Sequence, residues 1–257
     1  MANPRTGRVE YKRGHGYYLD GKKVSGSTTI IKGGLPAPAL VNWAPKKVAE
    51  YVVENIGEVV DLVASRSADT AIYDLKNVPW RDRDAAANRG TEVHRYAEAI
   101  VQGTPLDDPP EEIRGHIEQL ALFLEEWQPT FDKVECVVAS RAHRYMGTFD
   151  FLGTIPGLGY VLGDWKTNRS GIFSEVALQL ASYRYAEFIV QPDGTELPMP
   201  EVDQAVAVHI TADTYEVVPV ETNPDVFASF LHVKSVFEFS KGMADLIGEP
   251  LTFEDVA

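Results

Sequence analysis

Two short stretches near the middle of the chain combine residue types that can do chemistry. One is Gly147-Thr148-Phe149-Asp150, and the other is Gly163-Asp164-Trp165-Lys166-Thr167. Both have strand composition, and Ile155-Pro156-Gly157-Leu158-Gly159 between them suits a five-residue hairpin loop. Asp150 and Asp164 are equidistant from Gly157, so an antiparallel hairpin sets them directly opposite each other. Cβ atoms at such positions lie roughly 5 Å apart, and like charges there are destabilising unless something compensates. A divalent cation compensates, and carboxylate oxygens with retained waters are the ligands that Mg²⁺ prefers and Mn²⁺ accepts. Lys166 shares a strand face with Asp164, within reach of a metal-activated water or a phosphate bound there. The same residues also suit a surface hairpin whose Asp–Lys pair is worth little. Strand alternation directs Phe149 and Phe151 to one side and Thr148, Asp150 and Leu152 to the other, with Val161 and Trp165 opposite Asp164.

The elements that position these residues follow from the pattern around them. Residues 8–31 read as short strands with a hairpin at Asp20-Gly21, and Ser25-Gly26-Ser27-Thr28-Thr29 offers helix caps. Gly33-Gly34 and the prolines after it break the chain. Helical periodicity returns over 39–55, with Leu40, Trp43, Val48, Tyr51 and Val52 on one side and a start or kink at Pro45, and 57–76 suggest one or two more helices. A longer helix over 79–102 aligns Ala87, Gly90, His94, Ala97 and Val101 on one face. Another spans 111–127 with Ile113, Ile117, Leu120, Leu124 and Trp127 in a stripe. Strands at 134–138, 147–154 and 160–167 lead into a helix over 174–190 that is apolar on most sides. Strands at 202–210 and 214–220 and a last helix over 224–247 complete the chain. The order implies a mixed α/β sheet flanked by helices.

At 257 residues, one domain with elaborations is expected: an N-terminal elaboration over 1–78, a core over 79–220, and a C-terminal helix with acidic tail over 221–257. The single cysteine, Cys136, excludes intramolecular disulfides and four-cysteine zinc or iron–sulfur sites. No apolar run reaches membrane-spanning length and the N-terminus lacks a signal-peptide core, so a soluble, cytoplasmic protein without a membrane partner is expected. Net charge is −14, unevenly spread. Residues 1–50 carry +6 and residues 185–257 carry −12, which allows a cationic groove on an anionic body or simply a well-solvated surface.

Taken together, Gly90-Thr91-Glu92-Val93-His94, Gly147-Thr-Phe-Asp150, Gly163-Asp-Trp-Lys-Thr167 and Gln179-x-x-x-Tyr183 resemble the PD-(D/E)xK superfamily. Within it the resemblance is to the RecB-nuclease-like branch that includes Cas4 proteins and many phage exonucleases. It covers about 90–190, with the motifs in the family's order; Ser27-Thr-Thr and Leu40-Val-Asn-Trp43-Ala also look similar to phage members. The resemblance implies a restriction-endonuclease-like mixed sheet. Asp150, Asp164, His94 and the backbone carbonyl of Trp165 would hold Mg²⁺ or Mn²⁺, and Lys166 would be the catalytic lysine. Gln179 and Tyr183 would contact or position the substrate backbone, and Glu135 resembles an acid often found beside the metal. The chain departs from Cas4 in lacking cysteines for an iron–sulfur cluster, and it has no G-x-x-x-x-G-K-[ST] loop for helicase activity.

The expected function is therefore a metal-dependent DNA exonuclease hydrolysing phosphodiesters. It would act in phage or bacterial recombination, replication or repair, beside a recombination or replication protein, in the cytoplasm of a bacterium or infected host. An endonuclease of nicking or structure-specific type and a non-catalytic DNA-binding protein with a nuclease fold are the alternatives. Arg141, Arg144, Arg169 and Arg184 near the motifs, and Lys46, Lys47, Arg81, Arg83, Arg89 and Arg95 upstream, are candidates for phosphate contact as much as for surface solvation. Trp43, Tyr96 and Trp165 suit base stacking or core packing.

Overall fold

A computed structural model of the protein describes residues 4–12 and 14–251, with the backbone alone at 38–40, 82, 244 and 245. The side chain of Leu40 and the end of the acidic tail thus lie outside the described residues. The architecture is mixed α/β, a curled mixed sheet flanked by helices. Among the described residues, no helix is long and apolar enough to cross a membrane.

The organising strand is β5 (Tyr145–Ile155). One of its edges is fully taken by antiparallel β4 (Thr130–Ser140). The other edge is shared. Its start, at Tyr145 and Met146, pairs in parallel with β3 (Lys22–Gly26), which continues outward to β2 (His15–Leu19) and β1 (Gly7–Glu10). Its end, from Phe151 to Ile155, pairs antiparallel with β6 (Gly159–Lys166). Residues 147–150 are left without a strand partner on that side, and the sheet forks there. The β5–β6 register matches Phe151 with Gly163 and Ile155 with Gly159 around Gly157, as the spacing of the two acids requires.

On its other edge, from Val161 to Lys166, β6 runs parallel to β9 (Gln204–Ile210), which carries β10 (Tyr215–Val220) on its far edge. The outer edge of β4 holds β7 (Phe188–Val190) and β8 (Glu196–Pro198). These two strands correct the expected helix over 174–190. Helix α7 (Glu175–Arg184) ends at Arg184, because Phe188, Ile189 and Val190 are completely apolar and find a vacant edge on β4.

Helices α1 (Ser27–Gly34), α7 and α8 (Pro224–Lys241) cover one side of the sheet. Ser27 does not cap α1: its hydroxyl donates to the Met146 carbonyl and ties the helix to β5. Gly33 and Gly34 stay within the helix, since a Cβ on either would lie within 2.5 Å of Phe237 or Val233 on α8. Helix α2 (Pro38–Glu54) starts at Pro38 and runs through Pro45. It leads to α3 (Ile56–Ser65) and α4 (Ala68–Lys76). Helices α5 (Val78–Gln102) and α6 (Glu111–Trp127) cover the other side, where Leu120 and Phe123 pack with Phe151, Trp165 and Val208. The final helix ends at Lys241, short of the expected 247, and gives way to a 3-10 turn at Met243–Leu246.

Strand alternation is not continuous along β5. Gly147 and Phe149 face α7, where the Tyr183 ring lies over Gly147, yet Phe151 faces the opposite core beside Trp165. This corrects the expectation that Phe149 and Phe151 point the same way. The ladder skips Glu135 and Asp150 between the pairs Val134–Phe151 and Cys136–Phe149, and Glu135 has a φ of 49°. The two-residue period of β5 breaks at this unpaired position, opposite the left-handed Glu135 of β4.

Gly163 is set by the same packing. A Cβ on it would fall 1.8 Å from Cζ of Phe151, whose ring covers the strand. Gly163→Ala is expected to cost about 1–3 kcal/mol by overpacking. Combining it with Phe151→Leu should cost less than the sum of the two single changes. Urea unfolding of the three variants checks this, and strict additivity would contradict the contact.

Candidate active site at a fork in the sheet

The fork gathers the residues singled out in the sequence. Because β6 leaves β5 after Gly163, the Trp165 N–H finds no strand carbonyl on β5 and donates instead to Oδ2 of Asp150 at 2.6 Å. His94, from the middle of α5, places Nδ1 3.6 Å from the same oxygen. Glu135, opposite Asp150 on β4, completes a trio in which one ligand atom from each residue lies within 4.8 Å of the others. One imidazole and two carboxylates at that separation form a donor set a divalent cation accepts.

Asp164 and Lys166 stand beside the trio on β6. The Lys166 ammonium lies 2.5 Å from Asp164 Oδ2, and Gln179 on α7 donates Nε2–H to Oδ1 at 2.8 Å. A longer contact of 3.5 Å joins Lys166 Nζ to Gln179 Oε1. Asp164, Lys166 and Gln179 therefore form a closed ring of contacts, with Asp164 only 1% exposed.

The electrostatics follow from burying three carboxylates together. Burial, and then the Asp150 charge, raise Asp164 to about 6. Burial and Asp150 likewise raise Glu135 to about 7. For Asp150, burial pushes upward, but the His94 charge and hydrogen bond, Lys166 and the Trp165 N–H outweigh it and hold the carboxyl below its usual range. For His94, burial favours the neutral ring, yet the Asp150 charge outweighs it and raises the imidazole to about 9. In the metal-free protein, protons thus stand in for part of the positive charge that the site lacks.

Glu135, which the resemblance places beside the metal, here has a ligand atom within 4.8 Å of those of His94 and Asp150. Asp164, expected as a ligand opposite Asp150, has both oxygens engaged by Lys166 and Gln179. At Trp165 the backbone contact that the structure shows is its N–H on Asp150, from the group next to the expected carbonyl ligand. Tyr183, expected to meet substrate, is 2% exposed and packed over Gly147, so it props the site from beneath. Arg8 was missed: from β1 its Nη1 lies 3.9 Å from Glu135 Oε2 and 3.5 Å from Thr148 Oγ1. Nothing local in the sequence marks it, since the approach depends on β1–β3 extending the sheet past β5.

Of the ten cations put forward for phosphate contact, eight are engaged elsewhere. Arg141 bridges Asp20 and Glu196, Arg144 meets Asp20, and Arg184 donates to Thr222 and the Val202 carbonyl. Lys46 and Lys47 pair with Glu50, Arg81 with Asp74, Arg83 with Asp84 and Arg95 with Glu92. Arg89 and Arg169 make no hydrogen bond or ion pair among the described residues. Trp165 and Tyr96 are core residues at 2% and 4% exposure, and Trp43 meets Trp80 edge to face.

The chain is thus a mixed α/β protein with a candidate metal centre where its sheet divides. No protein-family model matches the sequence, and comparison with curated proteins returns no match. Among solved structures, one titled "Crystal structure of SSO0001" is similar at 14% identity over 64% of this chain and 73% of its own, with a TM-score of 0.29.

The three raised groups share one sign. Glu135, Asp164 and His94 each hold a proton more tightly folded than unfolded. Their contributions to stability are complete below the ordinary values of 4.5, 3.8 and 6.5 and are lost as pH rises through about 7, 6 and 9. The melting temperature of the metal-free protein is therefore expected to fall between pH 5 and 9. Saturating Mn²⁺ should oppose that fall, because the ligands bind it deprotonated. Scanning calorimetry with chelator and with Mn²⁺ tests this, and two superimposable pH profiles would count against a cation at these residues.

Proposed function

We propose that the protein is a divalent-metal-dependent deoxyribonuclease of the PD-(D/E)xK type, RecB-like in its site and most simply an exonuclease. The observation that carries this reading is the convergence of His94, Glu135 and Asp150 within 4.8 Å, with Lys166 on the adjoining strand. Buried carboxylates that stay protonated above their ordinary range are a donor set short of positive charge, which is what a cation supplies.

His94, Glu135 and Asp150 would hold Mg²⁺ or Mn²⁺, with Asp164 beside them holding Lys166. A cation there contributes Lewis-acid stabilisation of phosphoryl charge and activation of water. The chain's own residues do the rest. Asp164 and Gln179 hold the Lys166 ammonium at the mouth of the fork, where it neutralises charge building on a phosphate oxygen. Asp150 orients His94 through one oxygen and fixes the backbone of β6 through the Trp165 N–H. Tyr183 and Gly147 keep α7, and so Gln179, close against the sheet.

Lys166→Ala and Asp164→Asn should each lower metal-dependent cleavage of DNA by about 10²–10³-fold or more while circular dichroism shows the fold retained. End-labelled linear duplex and single strands, run beside a covalently closed circle, provide the assay. Degradation of linear substrates alone supports the exonuclease, nicking of the circle supports an endonuclease, and full activity in either variant removes the assignment.

A further inference from the structure

Arg89 and Arg169, which make no hydrogen bond or ion pair among the described residues, lie at neighbouring points around the candidate site. Arg89 precedes His94 by five residues on α5, about 7.5 Å of helix rise. Arg169 follows Lys166 by three residues, in the turn after β6. Three contacts bring their segments together with a third element. The Cβ position of Gly90, next to Arg89, lies 3.1 Å from Thr167 Oγ1, so the first half of α5 sits on the chain leading to Arg169. The Asn168 carbonyl is 2.8 Å from Nε2 of His209 at the end of β9. The turn after β9 packs on α6, where a Cβ on Gly115 would fall 2.6 Å from the Ala212 carbonyl. Gly115 precedes His116. The charged groups felt by the His116 ring are Arg89 and Arg169, with Asp213 as the opposing acid, and burial together with the two arginines lowers its basicity. His116 Nδ1 is buried without a hydrogen-bond partner.

We propose that Arg89, His116 and Arg169 form an anion subsite that receives a phosphate of the nucleic-acid strand, adjacent along that strand to the phosphate at the candidate centre. The identity of the strand rests on the nuclease reading; the anion preference rests on these three residues. Two unpaired guanidinium groups supply planar donors suited to phosphate oxygens. The other ring nitrogen of His116, Nε2, is not buried and makes no hydrogen bond among the described residues, so its N–H, in the neutral tautomer or the imidazolium, can donate to a phosphate oxygen. The setting distinguishes these arginines from ordinary surface cations: on a chain of net charge −14, eight of the ten cations considered for phosphate contact are tied to acids, a hydroxyl or a carbonyl.

The test uses the full chain with chelator present, so that binding is read without cleavage. Fluorescence anisotropy with a short single-stranded oligonucleotide is measured across a salt series for wild type, Arg89→Gln, Arg169→Gln and the control Arg83→Gln. Each of the first two is expected to weaken binding about 5–10-fold and to lower the salt slope by about 0.7, as loss of one single-strand phosphate contact does. The control should match wild type. Unchanged affinity and slope in both subsite variants would overturn the proposal. Inorganic phosphate supplies the arm that is independent of nuclease chemistry. It should shift the His116 ring resonance in the wild type and leave it unmoved in the Arg89→Gln/Arg169→Gln double variant, and an equal response in both proteins would also overturn it. Phosphate binding here without any metal-dependent cleavage would separate the subsite from the nuclease reading, leaving the former standing and the latter refuted.

Discussion

The structure depends on a hydrogen bond that a strand pair would ordinarily make and here does not. At Asp150 the ladder between β5 and β6 stops, and the carboxylate of Asp150 takes the Trp165 N–H in place of a backbone carbonyl. A buried N–H left without a partner costs about 1–3 kcal/mol, so the side chain is what makes the fork tolerable. Once β6 is released from β5 it can continue alongside β9, and the gap between β3 and β6 on the edge of β5 becomes a place where side chains from both strands and from α5 meet. Asp150 is thus committed twice, to the backbone that shapes the fork and to the imidazole that enters it.

That double role explains the charge pattern. Asp150 is ionised because His94, Lys166 and an N–H all favour its charged form, and its ionisation in turn makes Asp164 and Glu135 hold their protons. Two of the three acids are pushed up first by burial and then by the charge of the third. Such a set has no stable fully ionised state without further positive charge, and Lys166, already shared between Asp164 and Gln179, cannot supply it alone. A core built this way is less stable than an apolar one of the same volume. Its retention is more readily understood as a binding device than as a scaffold.

Local features were legible in the sequence to the extent that they are local. The β5–β6 register followed from two acids placed symmetrically about Gly157, and α5 and α6 followed from their apolar stripes. What was not legible depended on pairing between distant segments. The apolar stretch Phe188–Val190 reads equally as the end of a helix or a short strand, and only the free edge of β4 decides between them. The reversal of facing between Phe149 and Phe151 falls where the ladder skips a pair, opposite Glu135 with its φ of 49°, a residue type that gives no hint of a left-handed conformation. For the same reason Glu135 was placed on the margin of the site: regular alternation gives no warning of a residue that breaks it. Gly163 was read as part of a motif, whereas its packing reason, the Phe151 ring lying on it, requires the tertiary structure.

A polyanion partner for a chain of net charge −14 seems at first a contradiction, and distance resolves it. At physiological ionic strength charges act over about 8 Å, so the −12 carried by residues 185–257 weighs on a bound phosphate only where those acids come near it. The more useful quantity is how many cations close to the site are free of an acid. Arg141, Arg144, Arg81, Arg83 and Arg95 contribute little attraction, being neutralised where they stand. Arg89 and Arg169 have no such acid partner among the described residues. Together with a cation at the fork they would add positive potential beside the candidate site. Local attraction of this kind engages a strand at one point through a few phosphates, and its strength falls with salt in proportion to their number.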